Sequence, residues 1–268
     1  MIGFIGGGNM AEAIIKGMVQ SSGFGVRSSK KDIFVAEPRE ERRKYLEQTY
    51  DIKTTSDNKE VAKTCNIIIF AVKPQDMENV IAEVSDFISE DKTVISIAAG
   101  ITLSYLSARL KTRKMVRVMP NTPALIQEGM SVMSMCECIH DKDIGVIKDI
   151  FMSIGKLLVL PEKYMDAVTA LSGSGPAFFA YFIEAMIEGA VKMGLGKDDA
   201  TALAVQTLLG TARLLDTGLT PSKLREMVTS PGGTTAAGLK LFEERKFKEV
   251  VSSAIEAATK RSKELGRR

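Results

Sequence analysis

The opening stretch, Met1 to Ile14, constrains this chain more than any other part of it. A short apolar run, Met1-Ile-Gly-Phe-Ile5, leads through Gly6, Gly7 and Gly8 into a helical pattern from Asn9 to Val19. That order predicts a strand, a glycine turn and a helix. Gly6, Gly8 and Ala11 fill the three small-residue positions of a dinucleotide fingerprint. The first makes the tight turn, the second lets backbone N–H groups approach a pyrophosphate, and the third lets helix and strand pack closely. The helix N-terminus adds unpaired N–H donors and a positive dipole end. The alternative is a tight turn that binds nothing; the flanking strand and helix favour the nucleotide site.

The 268 residues suffice for one large domain or two ordinary ones. A net charge of +3, with no long basic block, argues against a nucleic-acid partner. No apolar run approaches the roughly 20 residues of a membrane span. A strand pattern beginning at Met1 predicts no leader segment. An odd number of cysteines, 3, argues against a disulfide framework and fits the cytoplasm. Cys136, Cys138 and His140 share one strand face, but they lack the fourth ligand of a closed zinc site, so no metal is expected.

Further strands are predicted at Ile33–Ala36, Ile52–Thr54, Asn66–Val72, Thr93–Ala99 and Met115–Met119, with helices between most of them. Ser131–Cys136 and Lys156–Leu160 extend the sheet. From Pro161 onward every predicted element is a helix, and Ala177–Met193 is apolar on nearly every face. The expected fold is therefore α/β: an N-terminal Rossmann-type doubly wound sheet over 1–160, followed by an all-α domain over 161–268. A helix apolar all round predicts that the second domain completes its core against another copy of the chain.

Two local features bear on chemistry. Glu37 and Arg39 stand at the end of the second strand, where the adenosine ribose lies in such folds. An acid there favours NAD, whereas an arginine accommodates the 2′-phosphate of NADP; Arg39, Arg42 and Arg43 also read as a solvated helix face. The second feature is Thr229-Ser-Pro-Gly-Gly-Thr-Thr235, between two helices. Its N–H groups and hydroxyls suit a carboxylate, and equally suit an ordinary capped turn between helices. A nucleotide site plus a polar, small-residue cleft predicts hydride-transfer chemistry.

Five motifs then occur in order: Phe4-Ile-Gly-Gly-Gly-Asn-Met-Ala11, Ala71-Val-Lys-Pro-Gln75, Arg117-Val-Met-Pro-Asn-Thr-Pro-Ala124, Ala170-Leu-Ser-Gly-Ser-Gly-Pro-Ala177 and Leu224-Arg-Glu-Met-Val-Thr-Ser-Pro-Gly-Gly-Thr-Thr235. With these the chain resembles the pyrroline-5-carboxylate reductases over nearly its whole length. The resemblance implies reduction of the cyclic imine 1-pyrroline-5-carboxylate to L-proline with NADPH (NADH possible), and a helical domain that dimerises. By the same resemblance Gly6, Gly8, Asn9, Met10 and Ala11 would line the pyrophosphate. Asn58, Ala71, Val72, Lys73 and Pro74 would lie along the cofactor. Ala98, Ala99 and Gly100 would border the nicotinamide. Ser230, Gly232, Gly233 and Thr234 would clamp the substrate carboxylate, and Thr235 would bond the ring nitrogen. Many relatives carry a small polar residue where this chain has Glu37, which puts the choice between NADP and NAD on Glu37 and Arg39.

Two rival readings accompany this one. A β-hydroxyacid dehydrogenase needs a lysine in its helical half, and Lys192 has the general location, though Val-Lys-Met-Gly reads more readily as a surface lysine. A nucleotide sensor would bind through the first motif without turnover; the intact Gly232-Gly-Thr-Thr235 turn argues against it.

Overall fold

The computed structural model describes residues 1–20, 30–136, 139 and 141–266. Its eight strands are β1 (Ile2–Ile5), β2 (Ile33–Ala36), β3 (Lys53–Thr55), β4 (Ile67–Phe70), β5 (Thr93–Ser96), β6 (Met115–Met119), β7 (Gly129–Met135) and β8 (Gly155–Val159). They form one sheet in the order β3-β2-β1-β4-β5-β6-β7-β8, parallel throughout except that β7 runs antiparallel to β6. The order reverses between β1 and β4, the signature of a doubly wound Rossmann-type sheet. All the expected strands are present. Of the cysteines and histidine weighed as a metal site, Cys138 and His140 lie outside the described residues.

The first helices are α1 (Asn9–Gln20), α2 (Glu40–Tyr50), α3 (Asn58–Thr64), α4 (Met77–Val84), α5 (Leu103–Ser107) and α6 (Asp141–Met152). Side chains alternate along a strand, so the sheet has two apolar faces. Phe4, Val35, Ile69, Ile95 and Val116 point to one, against Ile14, Ile15, Met18, Leu46, Ile147 and Phe151. Ile5, Ala36, Ile68, Phe70 and Val94 point to the other, against Val61, Ala62, Met77, Ile81 and Leu106. Strands buried on both faces read as continuous apolar runs, which is why β4 and β5 are plain in the sequence.

Helix α3 was not expected. Only Val61 and Ala62 are buried along it. Its start is fixed by Asp57, whose side chain accepts from the Lys59 N–H at 2.8 Å. Its end is fixed by Lys92, a buried ammonium that donates to the carbonyls of Ala62, Lys63 and Cys65.

The remaining helices are α7 (Met165–Val168), α8 (Gly175–Lys192), α9 (Lys197–Asp216), α10 (Pro221–Met227), α11 (Thr234–Glu244) and α12 (Phe247–Leu265). The stretch 162–173, which the sequence reads only as helical, is divided into a 3-10 turn, the short α7 and a wide π turn over Thr169–Gly173. Two compact units result: Met1–Ser174 with Ala257–Arg268, and Gly175–Glu256. The first unit thus reaches past residue 160, where the strand pattern of the sequence stops.

A buried arginine accounts for the extension. Arg117 on β6 pairs with Glu162 at 3.4 Å and Asp166 at 3.8 Å. Glu162 also accepts from the Leu103 N–H at 2.7 Å, and Asp166 accepts from the Ser262 hydroxyl at 2.7 Å. Asn121 adds a bond from its amide to the Ser172 carbonyl at 3.2 Å. One guanidinium therefore gathers β6, the start of α5, α7 and the end of α12. Removing it strands two carboxylates that are partly shielded from water. Arg117→Ala is expected to cost about 2–4 kcal/mol in urea unfolding, somewhat less than the roughly 3–5 kcal/mol for breaking a fully buried pair, because water reaches the two carboxylates in part. A loss under about 0.5 kcal/mol, the scale of an ordinary surface substitution, would show the pair to be idle.

Candidate functional site

The turn between β1 and α1 is built as the fingerprint requires. Gly6 has φ +101°, a conformation that side-chain-bearing residues rarely adopt. A Cβ at Gly6 would also stand 2.8 Å from the Ala71 carbonyl oxygen and 3.1 Å from Val72. The Gly6 N–H donates to Ala36, and the Ala71 N–H donates to Ile5, both at 2.8 Å. Residues after β1, β2 and β4 are thereby drawn together at one edge of the sheet. Gly8 faces open space, with nothing within 4 Å of an added Cβ. Asn9 opens α1, Met10 is half-buried, and Ala11 is buried against the sheet. An open glycine at the start of a helix leaves N–H donors accessible to a phosphate, so these residues fit a dinucleotide.

Lys73 and Pro74 continue the chain from Val72, with Lys73 exposed. Ala98, Ala99 and Gly100 follow β5, beside β4 in the sheet, and Gly100 has φ +79°. Asn58 opens α3, and its amide donates to Glu83 of α4 at 2.8 Å.

Glu37 is buried at the end of β2, 4% exposed. One carboxylate oxygen accepts from the Gly7 N–H at 3.0 Å; the other accepts from the Arg39 N–H at 3.2 Å and from Arg39 Nε at 2.7 Å. Arg42 donates to the Gly7 carbonyl at 2.6 Å and to Glu12 at 2.5 Å. Arg43 donates to the carbonyls of Glu37 and Pro38, both at 2.8 Å. The hydroxyls of Tyr45 and Tyr50 also reach Glu12, at 2.8 and 2.9 Å. Gly7, Glu12, Tyr45 and Tyr50 belong to this network although no motif in the sequence marks them. Its one local signal is an acid in the first turn of α1.

Both carboxyls are held below the usual carboxylate range. Burial pushes Glu12 up, but the hydrogen bonds from Arg42, Tyr45 and Tyr50 outweigh it. Burial likewise pushes Glu37 up, and the bonds from Arg39 and Gly7 outweigh it.

The Thr229–Thr235 stretch joins α10 to α11. Gly232 has φ +67°, and the Gly233 N–H closes back on the Ser230 carbonyl at 3.0 Å. A Cβ at Gly233 would collide with the Ser230 hydroxyl. Thr234 is the first residue of α11, and Thr235 is half-buried. First-turn N–H groups of a helix have no intrahelical partner, so the turn gathers donors and hydroxyls in one place. Lys192 ends α8 and is exposed, as a surface lysine would be. Among the described residues no group of histidine, cysteine or acidic side chains is arranged to hold a metal ion.

Comparison with known proteins adds the following. Residues 162–265 match the family model described as pyrroline-5-carboxylate reductase dimerisation, and residues 1–100 match that of NADP oxidoreductase, coenzyme F420-dependent. A pyrroline-5-carboxylate reductase of Synechocystis is 39% identical, over 100% of this chain and 98% of its own length. One from Pisum sativum is 41% identical, over 98% of this chain and 95% of its own. The crystal structure of Plasmodium falciparum pyrroline carboxylate reductase with NADP bound superposes with a TM-score of 0.87. It is 33% identical and covers 99% of this chain and 97% of that one.

The carboxylate network makes a pH-dependent contribution of known sign. A carboxyl whose folded pKa lies below its unfolded value stabilises the fold above the unfolded value, and that contribution is lost as pH falls through the folded one. The urea midpoint is therefore expected to fall as pH is lowered from about 6 to about 3, and Glu12→Gln is expected to flatten that dependence. An unchanged slope in Glu12→Gln would remove Glu12 from the account.

Proposed function

The chain belongs to the pyrroline-5-carboxylate reductase family, and from that premise we propose which of its residues carry the reaction. It reduces 1-pyrroline-5-carboxylate to L-proline, the last step of proline biosynthesis, with NAD(P)H. The observation that carries this reading is a match that spans the glycine turn at Gly6–Ala11 and the Thr229–Thr235 turn alike.

In our reading Gly6, Gly8, Asn9, Met10 and Ala11 hold the pyrophosphate, with Asn58 and Ala71–Pro74 along the cofactor and Ala98–Gly100 beside its nicotinamide. The bound dinucleotide supplies a hydride to C5 of the imine. Ser230, Gly232, Gly233 and Thr234 hold the substrate carboxylate with backbone N–H groups and hydroxyls, aided by the positive end of α11. The Thr235 hydroxyl bonds the ring nitrogen, which gains a proton as C5 gains the hydride. A threonine hydroxyl is no strong acid at neutral pH, so its role is to orient the nitrogen and relay a proton. A cyclic imine is already electrophilic, which suits a site with no carboxylate or histidine in its assigned set.

The helical segment 161–268 serves, in this reading, to join copies of the chain. Within Gly175–Glu256 the buried residues are Gly175, Ile183, Ala200 and Ala204 alone among those described. Phe179, Tyr181, Met193 and Leu203 stand exposed. No described helix is long and apolar enough to cross a membrane. We assign the enzyme to the cytoplasm, where its free thiols Cys65 and Cys136 fit a reducing environment.

Mixing the protein with NADPH or NADH and pyrroline-5-carboxylate is expected to oxidise the dinucleotide, whereas 3-hydroxyisobutyrate with the oxidised dinucleotide is expected to give no reduction of it. Inertness toward the imine with both dinucleotides would overturn the reading. Thr235→Ala is expected to lower kcat by about ten- to a thousandfold, the scale of one lost transition-state hydrogen bond, and to leave dinucleotide binding intact. Unchanged turnover in that variant would remove the role. In sedimentation the protein is expected to run as a dimer or larger, and Phe179→Glu to shift it toward the monomer. A wild-type monomer at micromolar concentration would refute the assembly.

A further inference from the structure

The chain leaving β5 makes a turn in which the Ile101 N–H donates to the Ala98 carbonyl at 3.4 Å. Gly100 is its third residue, and the φ of +79° there is that of a type II turn, which glycine satisfies. The Ala98 N–H donates to the Ser96 hydroxyl at 3.3 Å. Both bonds are longer than the usual N–H···O range, so local bonding is a weak fastening for this segment.

The end of α12 seats on that turn. A Cβ on Gly100 would stand 3.0 Å from the Gly266 nitrogen and 3.1 Å from Leu265, and a Cβ on Gly266 would collide with the Gly100 carbonyl oxygen. Backbone thus meets backbone, an approach that only a pair of glycines permits. The helix end is itself held. The Gly266 N–H donates to the Ser262 carbonyl at 3.2 Å, and the buried Ser262 hydroxyl donates to Asp166 at 2.7 Å. Asp166 pairs with Arg117 on β6. The second carboxylate on Arg117, Glu162, takes the Leu103 N–H just beyond the turn. The turn is therefore gripped at Gly100 by α12 and at Leu103 by Glu162, and all of these residues lie in one compact unit.

We propose that the end of α12 is a positioning element for hydride transfer: Gly266 sets the turn at Ala98–Gly100, and Ser262 ties Gly266 to the Arg117 cluster. The proposal rests on the reading that Ala98, Ala99 and Gly100 border the nicotinamide. None of the three has a polar side chain, so they act on the ring only by where their backbone lies. That makes the support behind the turn part of how the ring is aimed at the imine.

The test compares Gly266→Val and Ser262→Ala with wild type in the whole protein, using NADPH and 2′-phospho-ADP-ribose, which lacks the nicotinamide. The φ of Gly266 lies outside the left-handed range, so a valine there is opposed by Gly100 and not by its own backbone. Gly266→Val is expected to lower kcat by about tenfold or more, since a misplacement of about 1 Å can cost about a hundredfold. It is expected to weaken NADPH while leaving Kd for 2′-phospho-ADP-ribose unchanged. Ser262→Ala is expected to act in the same way and less strongly. In the ligand-free protein, deuterium exchange over residues 98–103 is expected to quicken in both variants. Wild-type kcat and NADPH affinity in the folded variants overturn the proposal. So does an equal loss of NADPH and 2′-phospho-ADP-ribose, which is what a merely structural lesion would give. Where Gly266→Val does not fold, Ser262→Ala, which removes a single hydroxyl, decides. Ala99→Leu separates the two layers of the argument, being expected to weaken NADPH and spare 2′-phospho-ADP-ribose. If it does so while the α12 variants change nothing, the role of α12 alone falls; if it leaves NADPH untouched, the nicotinamide assignment falls, and the proposal with it.

Discussion

Parallel pairing of β1 along both its edges is the interaction on which the nucleotide half depends. Ile2 lies opposite Ile33 of β2 and Ile67 of β4, and Ile5 lies opposite Ala36 and Phe70. Three strands in one register release their loops at one level. The strand order turns back at β1 and β4, the place where ligands bind in sheets of this kind. Gly6 answers two demands at this point. Its positive φ makes the turn, and its missing side chain lets the Ala71 carbonyl come close. Any residue with a Cβ there would be strained and would press β1 away from the chain leaving β4.

Around that turn the charges are organised by main-chain groups more than by one another. Exposed ion pairs contribute little to stability. Arg42 and Arg43 do more than pair with acids, because each donates to a carbonyl of the turn or of the segment after β2. Hydrogen bonds from charged donors to the main chain are stronger than neutral ones and fix geometry. The reading of Arg42 and Arg43 as part of a solvated helix face leaves out this use. Arg42 acts as a clamp that holds α2 against the glycine turn, and Tyr45 and Tyr50 of the same helix join it on Glu12 of α1.

What the sequence made legible follows the range of the interactions involved. The strands were legible because a strand covered on both faces must be apolar along its length. The Gly6–Ala11 and Thr229–Thr235 turns were legible because their conformations are set by adjacent residues. Helix α3 was not, since seven residues with two apolar positions carry no periodicity. Its one sign was Asp57-Asn-Lys-Glu60, an acid cap followed three residues later by a glutamate. The attachment of residues 161–174 to the sheet was not legible either. It depends on Arg117, 45 positions before Glu162. The burial of Glu37 depends on Gly7, 30 positions earlier, and spacing along the chain gives no hint of such a bond.

The helical unit sets a constraint of a different kind. A stretch of helices whose buried residues are one isoleucine, two alanines and a glycine has no core of its own. The hydrophobic effect scales with apolar area removed from water, and here Phe179, Tyr181, Met193 and Leu203 leave that area open. The Phe182, Phe242 and Phe247 rings do meet, at centroid distances of 5.1–6.4 Å, yet a single aromatic cluster on α8, α11 and α12 does not enclose a helix bundle. The Ser230–Thr235 turn belongs to this same unit. On the reading proposed for it, it works by placing N–H groups and a hydroxyl, with no charged acid to compensate for poor placement. Catalysis by placement loses rate steeply when the supporting elements shift. The demand for burial and the demand for rigid placement therefore converge: on this reading, association with a second copy that covers the exposed faces of α8 and α9 is also what steadies the turn that receives the substrate.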